Sequence, residues 1–335
     1  MKNMKKLTSA VLAVLTVLNI STAAFAQTVS EIEEPEYTAV TEVTDEYIEA
    51  EEVSEDMEKS QIFRRSTKDV SVGYDNLLDD FTVTKASTGK TYAYYSPVVS
   101  ENDTTKYPVV VYLHGKFHGW TNKSFLKSGL TYWSCTEIQN KFNAGGAHLI
   151  MPRLPEFEIT NISKLQTLIE EYVEQNEKNV DRSQIFIMGG SAGGGKAWKL
   201  LLANPDFYKA AVILCATKTI SASEAQKIAD VPVWEISSVT DPIINYSLNQ
   251  STTWRHLTGN SNVKSKCRWS VFSGSPCLPD GSSPLISHFL AKTIGFNFCR
   301  IDNRSALPGQ KTINAEGSTV NIDWDNGLIE WLQAA

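Results

Sequence analysis

Five residues, Gly189 to Gly193, form the pattern G-x-S-x-G, in which a serine stands between small neighbours. They follow the apolar run Ile185–Met188 and precede a stretch with helical character. In that context the pattern predicts a sharp turn between a strand and a helix, known as a nucleophile elbow. Such a turn lifts the Ser191 hydroxyl above the edge of a sheet, where a base can reach it. Ser191 is therefore the predicted nucleophile.

The same segment also fits a second pattern. Gly190 to Lys196 reads G-x-x-x-x-G-K, as in loops that cradle phosphate groups. In those loops a Ser or Thr follows the lysine and helps to hold magnesium. Ala197 occupies that position here and has no hydroxyl group. We therefore favour a nucleophilic serine over a phosphate-binding loop.

A serine hydroxyl is a weak nucleophile at neutral pH, so it needs a histidine to accept its proton and a carboxylate to orient that histidine. In hydrolases with this turn the chain order is serine, acid, histidine. Two histidines follow Ser191. His288 comes after the last predicted strand in a Gly-, Ser- and Pro-rich stretch, whereas His256 lies within a predicted helix. Catalytic groups favour loops on a rigid scaffold, so His288 is the predicted base and His256 the alternative.

The predicted acid is Asp241, which lies on a turn a few residues after the apolar stretch 233–237. Three other carboxylates fit the role less well, because they lie before this stretch, within it or in a separate turn: Asp230, Glu235 and Asp206. A local Asx turn or a helix cap before Pro242 would give the same sequence pattern at Asp241.

The negative charge that develops on a carbonyl oxygen during acyl transfer needs backbone N–H donors. Ala192, directly after the serine, is predicted to supply one. The loop after the β-branched run 108–113 reads HGKFHG; its first glycine allows close backbone approach, and Lys116 is the second predicted donor. His114 and His118 of this loop lack the glutamate and the helical context of H-E-x-x-H, so neither a metal nor a cofactor is predicted.

Past residue 61 the chain alternates strands with helices. An antiparallel pair is predicted at 81–85 and 92–96, followed by strands at 108–113, 148–151, 185–188, 210–215, 233–237 and 264–272. Helices are predicted at 123–142, 162–173, 193–203, 222–229, 245–257 and 327–332. This alternation predicts an α/β fold, a mostly parallel sheet with helices on both faces. Active sites of such sheets lie beyond the carboxyl ends of the strands, where His114, Ser191 and Asp241 are expected.

The first 60 residues differ from the rest of the chain. Residues 1–26 have a charged start, an apolar run and the cleavage pattern Ala24-Phe25-Ala26, as in a secretory signal. No other stretch is long and apolar enough to span a membrane, so a secreted protein without a membrane span after cleavage is expected. Residues 27–60 hold 13 Asp and Glu and one basic residue, without a helical or strand period, and are expected to stay disordered.

The remaining residues, 61–335, are the predicted catalytic domain. They carry 27 Lys and Arg against 25 Asp and Glu, so the net charge of −7 belongs to the acidic segment. Because no basic stripe is present, nucleic acid is not an expected partner.

Cysteine and tryptophan positions leave alternatives open. Five cysteines leave at least one thiol unpaired. Cys215 lies in an apolar run and is predicted to be buried, whereas export favours one disulfide among the last three, with the pair left open: Cys267, Cys277 and Cys299. Four tryptophans are candidates for an aromatic or sugar-binding cleft, although most tryptophans in such a domain belong to the core: Trp120, Trp133, Trp254 and Trp269.

Taken together, four segments resemble the α/β-hydrolase superfamily: Pro108–Gly115, Asp181–Gly194, Asp241-Pro242 and His288. Within it the chain is similar to exported esterases of the feruloyl esterase and polyhydroxybutyrate depolymerase type, and to predicted peptidases of the prolyl oligopeptidase clan. The resemblance covers about residues 75–335 and implies a triad of Ser191, Asp241 and His288. It departs from the family in the HGKFHG loop, which is not a run of glycines, and in a long segment at 289–324.

The leading hypothesis is a secreted serine hydrolase that cleaves a small-molecule or polysaccharide-linked carboxylic ester through an acyl-enzyme. Two alternatives stay open: a serine peptidase with the same triad, and a non-catalytic binding protein on the same fold.

Overall fold

Nine strands form one mixed sheet in the computed structural model of the chain. The structure describes residues 77–100, 102–116, 125–126, 130–154, 161–239, 241, 243–259, 267–272, 311–322 and 327–335. All of these belong to the unit Val53–Ala335. The predicted leader, the acidic segment and His288 lie outside the described residues.

The strands follow the predicted order along the chain. They are β1 Thr82–Lys85, β2 Thr91–Tyr95, β3 Tyr107–Leu113, β4 His148–Pro152, β5 Val180–Gly190, β6 Ala210–Leu214, β7 Val233–Ser238, β8 Arg268–Phe272 and β9 Lys311–Asn314. The α-helices in the described residues are α1 Thr136–Gln139, α2 Ile162–Gln175, α3 Ala192–Ala203, α4 Ala222–Lys227, α5 Gln250–Thr258 and α6 Leu328–Ala334. Short 3₁₀ turns occupy Leu78–Asp80, Leu130–Ser134 and Pro205–Phe207.

The order of strands in the sheet is β1-β2-β4-β3-β5-β6-β7-β8-β9. The six strands from β4 to β8 run parallel, while the outer strands β1, β2 and β9 pair antiparallel with their neighbours. Every residue of β3 and of β6 is buried, as expected for parallel strands that are covered on both faces. The predicted α/β fold with a mostly parallel sheet and helices on both faces is confirmed.

Two hydrophobic cores lie on opposite faces of this sheet. Alternate residues of β3 supply them, with Val109 and Val111 in one core and Val110 and Tyr112 in the other. Helices α2, α3, α4 and α5 cover the first face, whereas α1 and α6 contribute to the second. Each leucine that these helices bury contributes about 1.5–3 kcal/mol of transfer free energy. The two layers hold the strand ends rigidly in register.

Helix α2 shows how local sequence and packing agree. The Asn161 side chain accepts a hydrogen bond from the Lys164 N–H at 3.0 Å and caps the first turn. Apolar residues at helical spacing then face the sheet and are buried: Leu165, Leu168, Ile169, Tyr172 and Val173. The helix predicted over 162–173 is therefore confirmed and extends to Gln175.

Two predicted helices differ from the structure, and one strand in the structure was not predicted. The described part of 123–142 contains a 3₁₀ turn and the four-residue α1, because packing against the sheet breaks the segment into short turns. Helix α5 begins at Gln250 and not near 245, since residues 246–249 form a turn that positions neighbouring loops. Strand β9 was not predicted: its four residues at the sheet edge are defined by antiparallel pairing with β8 and carry no pattern of their own.

Candidate active site

Ser191 lies directly after β5, between the carboxyl ends of β3 and β6. Its backbone has φ 56° and ψ −122°, in the region that favours glycine and costs strain in other residues. The Ser191 N–H donates to the Leu214 carbonyl at 2.8 Å. Its own carbonyl accepts from the N–H groups of Gly195 at 3.1 Å and Thr217 at 3.2 Å. These bonds hold the serine in the strained turn that the sequence pattern predicted.

The glycines of the pattern are required by close backbone contacts. A Cβ atom at Gly189 would lie 2.5 Å from the Gly193 carbonyl oxygen. One at Gly193 would collide with the carbonyl oxygens of Leu113 and His114. Helix α3 therefore starts against the ends of β3 and β5, at a distance that only glycine permits.

Ala192 is the first residue of α3, and its N–H belongs to the four that have no acceptor within the helix. The aligned peptide dipoles of this helix place partial positive charge at its start, which favours an anion there. The predicted donor Ala192 thus stands beside Ser191 in a suitable electrostatic environment.

His114 connects the end of β3 to the end of β4. Its Nε2 accepts the Leu154 backbone N–H at 2.9 Å, so the ring proton is on Nδ1, which donates to the Gly115 carbonyl at 2.7 Å. The ring is almost fully buried, with 1 % of its surface exposed. The sequence predicts His114 at the carboxyl edge of the sheet, at the start of the oxyanion loop, but gives its side chain no role, because a metal pair with His118 is not favoured. The structure instead gives it a backbone-binding role, for which the HG dipeptide after a buried strand was the available signal.

This hydrogen bond sets the plane of one peptide group. The Gly115–Lys116 peptide is trans, so the Lys116 N–H points opposite to the Gly115 carbonyl and away from the imidazole. Lys116 itself is exposed beyond β3, the strand next to β5 in the sheet. The two predicted oxyanion donors, Ala192 and Lys116, thus follow the carboxyl ends of two neighbouring strands, β5 and β3.

Asp241 lies beyond β7 at the same edge of the sheet. Its N–H donates to the Ser238 carbonyl at 3.3 Å, and its Oδ1 accepts the N–H groups of Ile243 at 2.8 Å and Ile244 at 2.9 Å. This is an Asx turn, which orients the half-buried carboxylate. In the sheet β6 lies between β5 and β7, so two strand spacings, about 10 Å, separate the strand ends that Ser191 and Asp241 follow.

Of the two candidate bases, only His256 lies in the described residues. His288, the predicted base, lies outside the described residues. The alternative, His256, lies in α5, where its Nδ1 is 2.6 Å from the Ile220 carbonyl oxygen. Thr253 of the same helix accepts the Ile220 N–H at 3.1 Å, so both side chains attach α5 to this segment. His256 therefore has a structural role, which is to attach α5 to the backbone at Ile220.

The other carboxylates are unsuited to the acid role. Glu235 lies inside β7 and is buried, which raises the pKa of its carboxyl well above the ordinary value, and it is not on a loop beyond the strand end where a triad acid is expected. Asp206 and Asp230 lie at the opposite, amino edge of the parallel strands, where they line a cavity of about 270 Å³. This cavity is therefore remote from Ser191.

The candidate cleft tryptophans are mostly core residues. Trp133 is fully buried and Trp254 is 7 % exposed, so both belong to the core, which is the alternative that the sequence analysis left open for them. Trp269 is half-buried between the rings of Trp254 and Tyr246, and its Nε1 donates to the Ser237 hydroxyl at 2.9 Å. Trp120 lies outside the described residues.

Among the cysteines, Cys215 is buried as predicted, but its φ of 39° is a feature that the sequence did not indicate. It begins the loop whose Thr217 holds the Ser191 carbonyl. Cys267 is a buried free thiol, and burial raises its pKa to about 11. Cys277 and Cys299 lie outside the described residues.

The described residues contain neither a metal-binding cluster nor a helix that could span a membrane. No group of three or more His, Cys, Asp or Glu side chains there is arranged to hold a metal ion. In that same part of the chain, every helix is too short or too polar to cross a bilayer.

A family model described as phospholipase/carboxylesterase matches residues 153–294, less than half of the chain but including Ser191, Asp241 and His288. No curated protein matches the sequence.

Among solved structures, a thermostable esterase is similar with a TM-score of 0.54 and 22 % identity, over 65 % of this chain and 61 % of that one. The chain thus spans about three fifths of that esterase. A ferulic acid esterase gives a TM-score of 0.44 and 16 % identity over 58 % of this chain and 89 % of that one. An acylaminoacyl peptidase from Pyrococcus horikoshii gives 0.39 and 14 % over 58 % and 37 %. The chain has the α/β-hydrolase fold.

Proposed function

We propose that this chain, an α/β-hydrolase by fold, hydrolyses carboxylic esters with Ser191 as nucleophile, His288 as base and Asp241 as the acid that orients the base. The strained backbone of Ser191, held between two strand ends at the start of α3, is the observation that supports this most. A fold stores such strain where a reactive group must be presented.

In the proposed reaction the Ser191 Oγ attacks the ester carbonyl while its proton passes to His288. The N–H groups of Ala192 and Lys116 donate to the carbonyl oxygen as it gains negative charge. The positive end of α3 adds to this stabilisation, because it acts in a site that is partly shielded from water.

The tetrahedral intermediate then collapses and the C–O bond to the alcohol breaks. The alcohol leaves with the proton from His288, and the acyl group stays on Ser191 as an ester. Water attacks this acyl-enzyme, gives one proton to His288, and releases the acid with Ser191 restored. Asp241, oriented by its Asx turn, stabilises the imidazolium that forms in both halves of the reaction.

We further propose that the substrate is a small-molecule or polysaccharide-linked ester met outside the cell. The leader-like residues 1–26 support export, and the acidic segment 27–60 is then a solvated spacer or pro-segment.

The direct test replaces Ser191 with alanine and measures hydrolysis of p-nitrophenyl acetate. We expect kcat/KM to fall by about 10⁴-fold or more, as when other triad nucleophiles are removed. The matched control is Ser183→Ala, the same substitution on the same strand but at the exposed amino end. Equal activity in the two variants would overturn the assignment.

Two further measurements separate the alternatives. The matched pair p-nitrophenyl acetate and p-nitroacetanilide differs only in the bond that is cleaved, so faster hydrolysis of the anilide would favour a peptidase. A fluorophosphonate probe should label the unmodified protein and not Ser191→Ala. A folded protein that is neither labelled nor active would be a binding protein on this fold.

A further inference from the structure

We infer that Ile243 and Leu248 form an apolar subsite that binds the alkyl group of the ester substrate. This inference rests on the proposed function and adds the class of substrate: an ester that carries an apolar chain. The two residues lie on the segment between β7 and α5, directly after the proposed acid Asp241.

The side chains of Ile243 and Leu248 are exposed although they are large and apolar. The described residues expose only four large apolar side chains, and two of them are Ile243, with 50 % of its surface exposed, and Leu248, with 53 %. The other two, Val98 and Val99, follow β2. Because β2 is antiparallel to β4, its carboxyl end lies at the amino edge of the parallel strands, away from Ser191.

Hydrogen bonds connect the segment to the loop that contacts the Ser191 backbone and to Asp241. The Thr217 N–H contacts the Ser191 carbonyl, and two residues later the Thr219 hydroxyl donates to the Leu248 carbonyl at 3.1 Å. On the other side, the Ile243 N–H is bonded to the carboxylate of Asp241. Leu248 is therefore tied to the loop that contacts the Ser191 backbone, and Ile243 is tied to Asp241.

The segment is also ordered by its own polar groups, so its apolar side chains are held outward. The Leu248 N–H donates to the Asn245 side chain at 3.0 Å, and Asn249 contacts the Thr219 hydroxyl at 2.6 Å. Ile244 turns inward and is 9 % exposed. A preorganised apolar surface loses little conformational entropy when a ligand covers it.

The charges nearby suit a neutral, apolar ligand. Residues 243–249 contain no charged side chain. In the adjoining loop the Lys218 ammonium is 2.9 Å from the Glu224 carboxylate, so its charge is compensated. An alkyl chain placed here would remove apolar surface of both partners from water without leaving a charge unsolvated.

The test measures kcat/KM for p-nitrophenyl acetate, butyrate, hexanoate and octanoate, and for methyl to octyl acetates. Each methylene group that the subsite covers should raise kcat/KM by about fourfold. In the double variant Ile243→Ser/Leu248→Ser we expect the hexanoate-to-acetate ratio to fall by about tenfold. If the alcohol side occupies the subsite, the same loss should appear in the alkyl acetate series instead.

Val98→Ser is the matched control, since it removes an exposed apolar side chain from the opposite edge. Its chain-length profiles should match those of the unmodified protein. If the double variant, shown to be folded by its thermal midpoint, also gives unchanged profiles in both series, the subsite is refuted while the proposed function stands. If the unmodified protein hydrolyses no ester at all, the proposed function fails and the subsite with it.

Discussion

His114 and His148 lie at opposite ends of the neighbouring strands β3 and β4, and both are buried, with 1 % and 3 % of their surfaces exposed. The His114 ring binds backbone groups of two loops beyond the carboxyl ends of β3 and β4. The His148 Nδ1 instead meets side chains of the core, the Tyr172 hydroxyl at 2.8 Å and the Ser96 hydroxyl at 3.3 Å. One histidine positions loops, and the other fills space in a polar part of the core.

The backbone shows the same contrast between the two edges. The non-glycine residues with positive φ in the described part of the chain, Ser191 and Cys215, both stand at the carboxyl edge. The amino edge has the cavity of about 270 Å³ but no such strain. The strained residues and the histidine that binds backbone therefore lie together at the carboxyl edge, where the proposed nucleophile stands, whereas this cavity lies at the other edge.

Among the substitutions that test the contrast between the two edges, replacing His114 should have the largest effect on catalysis. His114→Ala frees the Gly115–Lys116 peptide, so the Lys116 N–H is no longer held in one direction. We expect kcat for an ester to fall by about 100-fold, as when an oxyanion donor is lost, with little change in KM. The unpaired Leu154 N–H should also cost about 1–3 kcal/mol of stability.

His114→Asn should restore part of kcat, because its amide can still donate to the Gly115 carbonyl. His148→Asn at the other edge should leave kcat unaffected. If His114→Ala lowered stability but kept kcat, the ring would be a structural residue only, and the contrast between the two histidines would disappear.

His148 should make stability depend on pH. Burial lowers the pKa of its imidazole from 6.5 to about 4. Between these values the unfolded chain binds a proton that the folded chain does not, so stability falls as the pH falls. The expected loss from this group between pH 7 and pH 5 is about 2 kcal/mol.

Urea unfolding of the unmodified protein and of His148→Asn at both pH values would measure this loss. The asparagine variant should lose less stability on acidification by that amount, because its side chain does not titrate. Parallel losses in the two proteins would show that His148 keeps an ordinary pKa in the fold.

Much of the architecture could be predicted from the sequence, because buried parallel strands are continuous apolar runs and α2 has a clear helical period. The glycine pattern also indicated the turn at Ser191, since the backbone approaches too closely there for any side chain. Strand β9 and the interrupted segment before α1 escaped prediction because tertiary pairing and packing define them.

Within the candidate site, residue types were more predictable than their partners. A carboxylate after β7 could be expected from the strand pattern, and an Asx turn was one of the local structures that the sequence allowed at Asp241, but the N–H groups that complete the turn come from the loop that follows. The burial of Trp133 and Trp254 and the backbone role of His114 follow from contacts distant in sequence, which a local pattern does not encode.

The smallest predicted effect concerns the strain at Cys215, whose φ is 39° and whose N–H donates to the Ile236 carbonyl at 2.9 Å. At most positions glycine is less stable than alanine, because its unfolded chain is freer. At a positive φ this order reverses, since alanine keeps a steric penalty of about 1–2 kcal/mol that glycine avoids. We therefore expect Cys215→Gly to be more stable than Cys215→Ala by about 1 kcal/mol.

Cys267 provides the matched control, because it is also a buried free thiol but lacks a positive φ. There Cys267→Ala should be more stable than Cys267→Gly. The same order at both positions would show that the turn at Cys215 relaxes without cost. Of the two described non-glycine residues with positive φ, only Ser191 would then be strained. The loop that carries Thr217 would not restrict the conformation of Ser191. The kcat of Cys215→Gly for an ester tests whether the loop restricts Ser191. If the more flexible loop leaves kcat unchanged, the loop does not hold Ser191 in its reactive conformation.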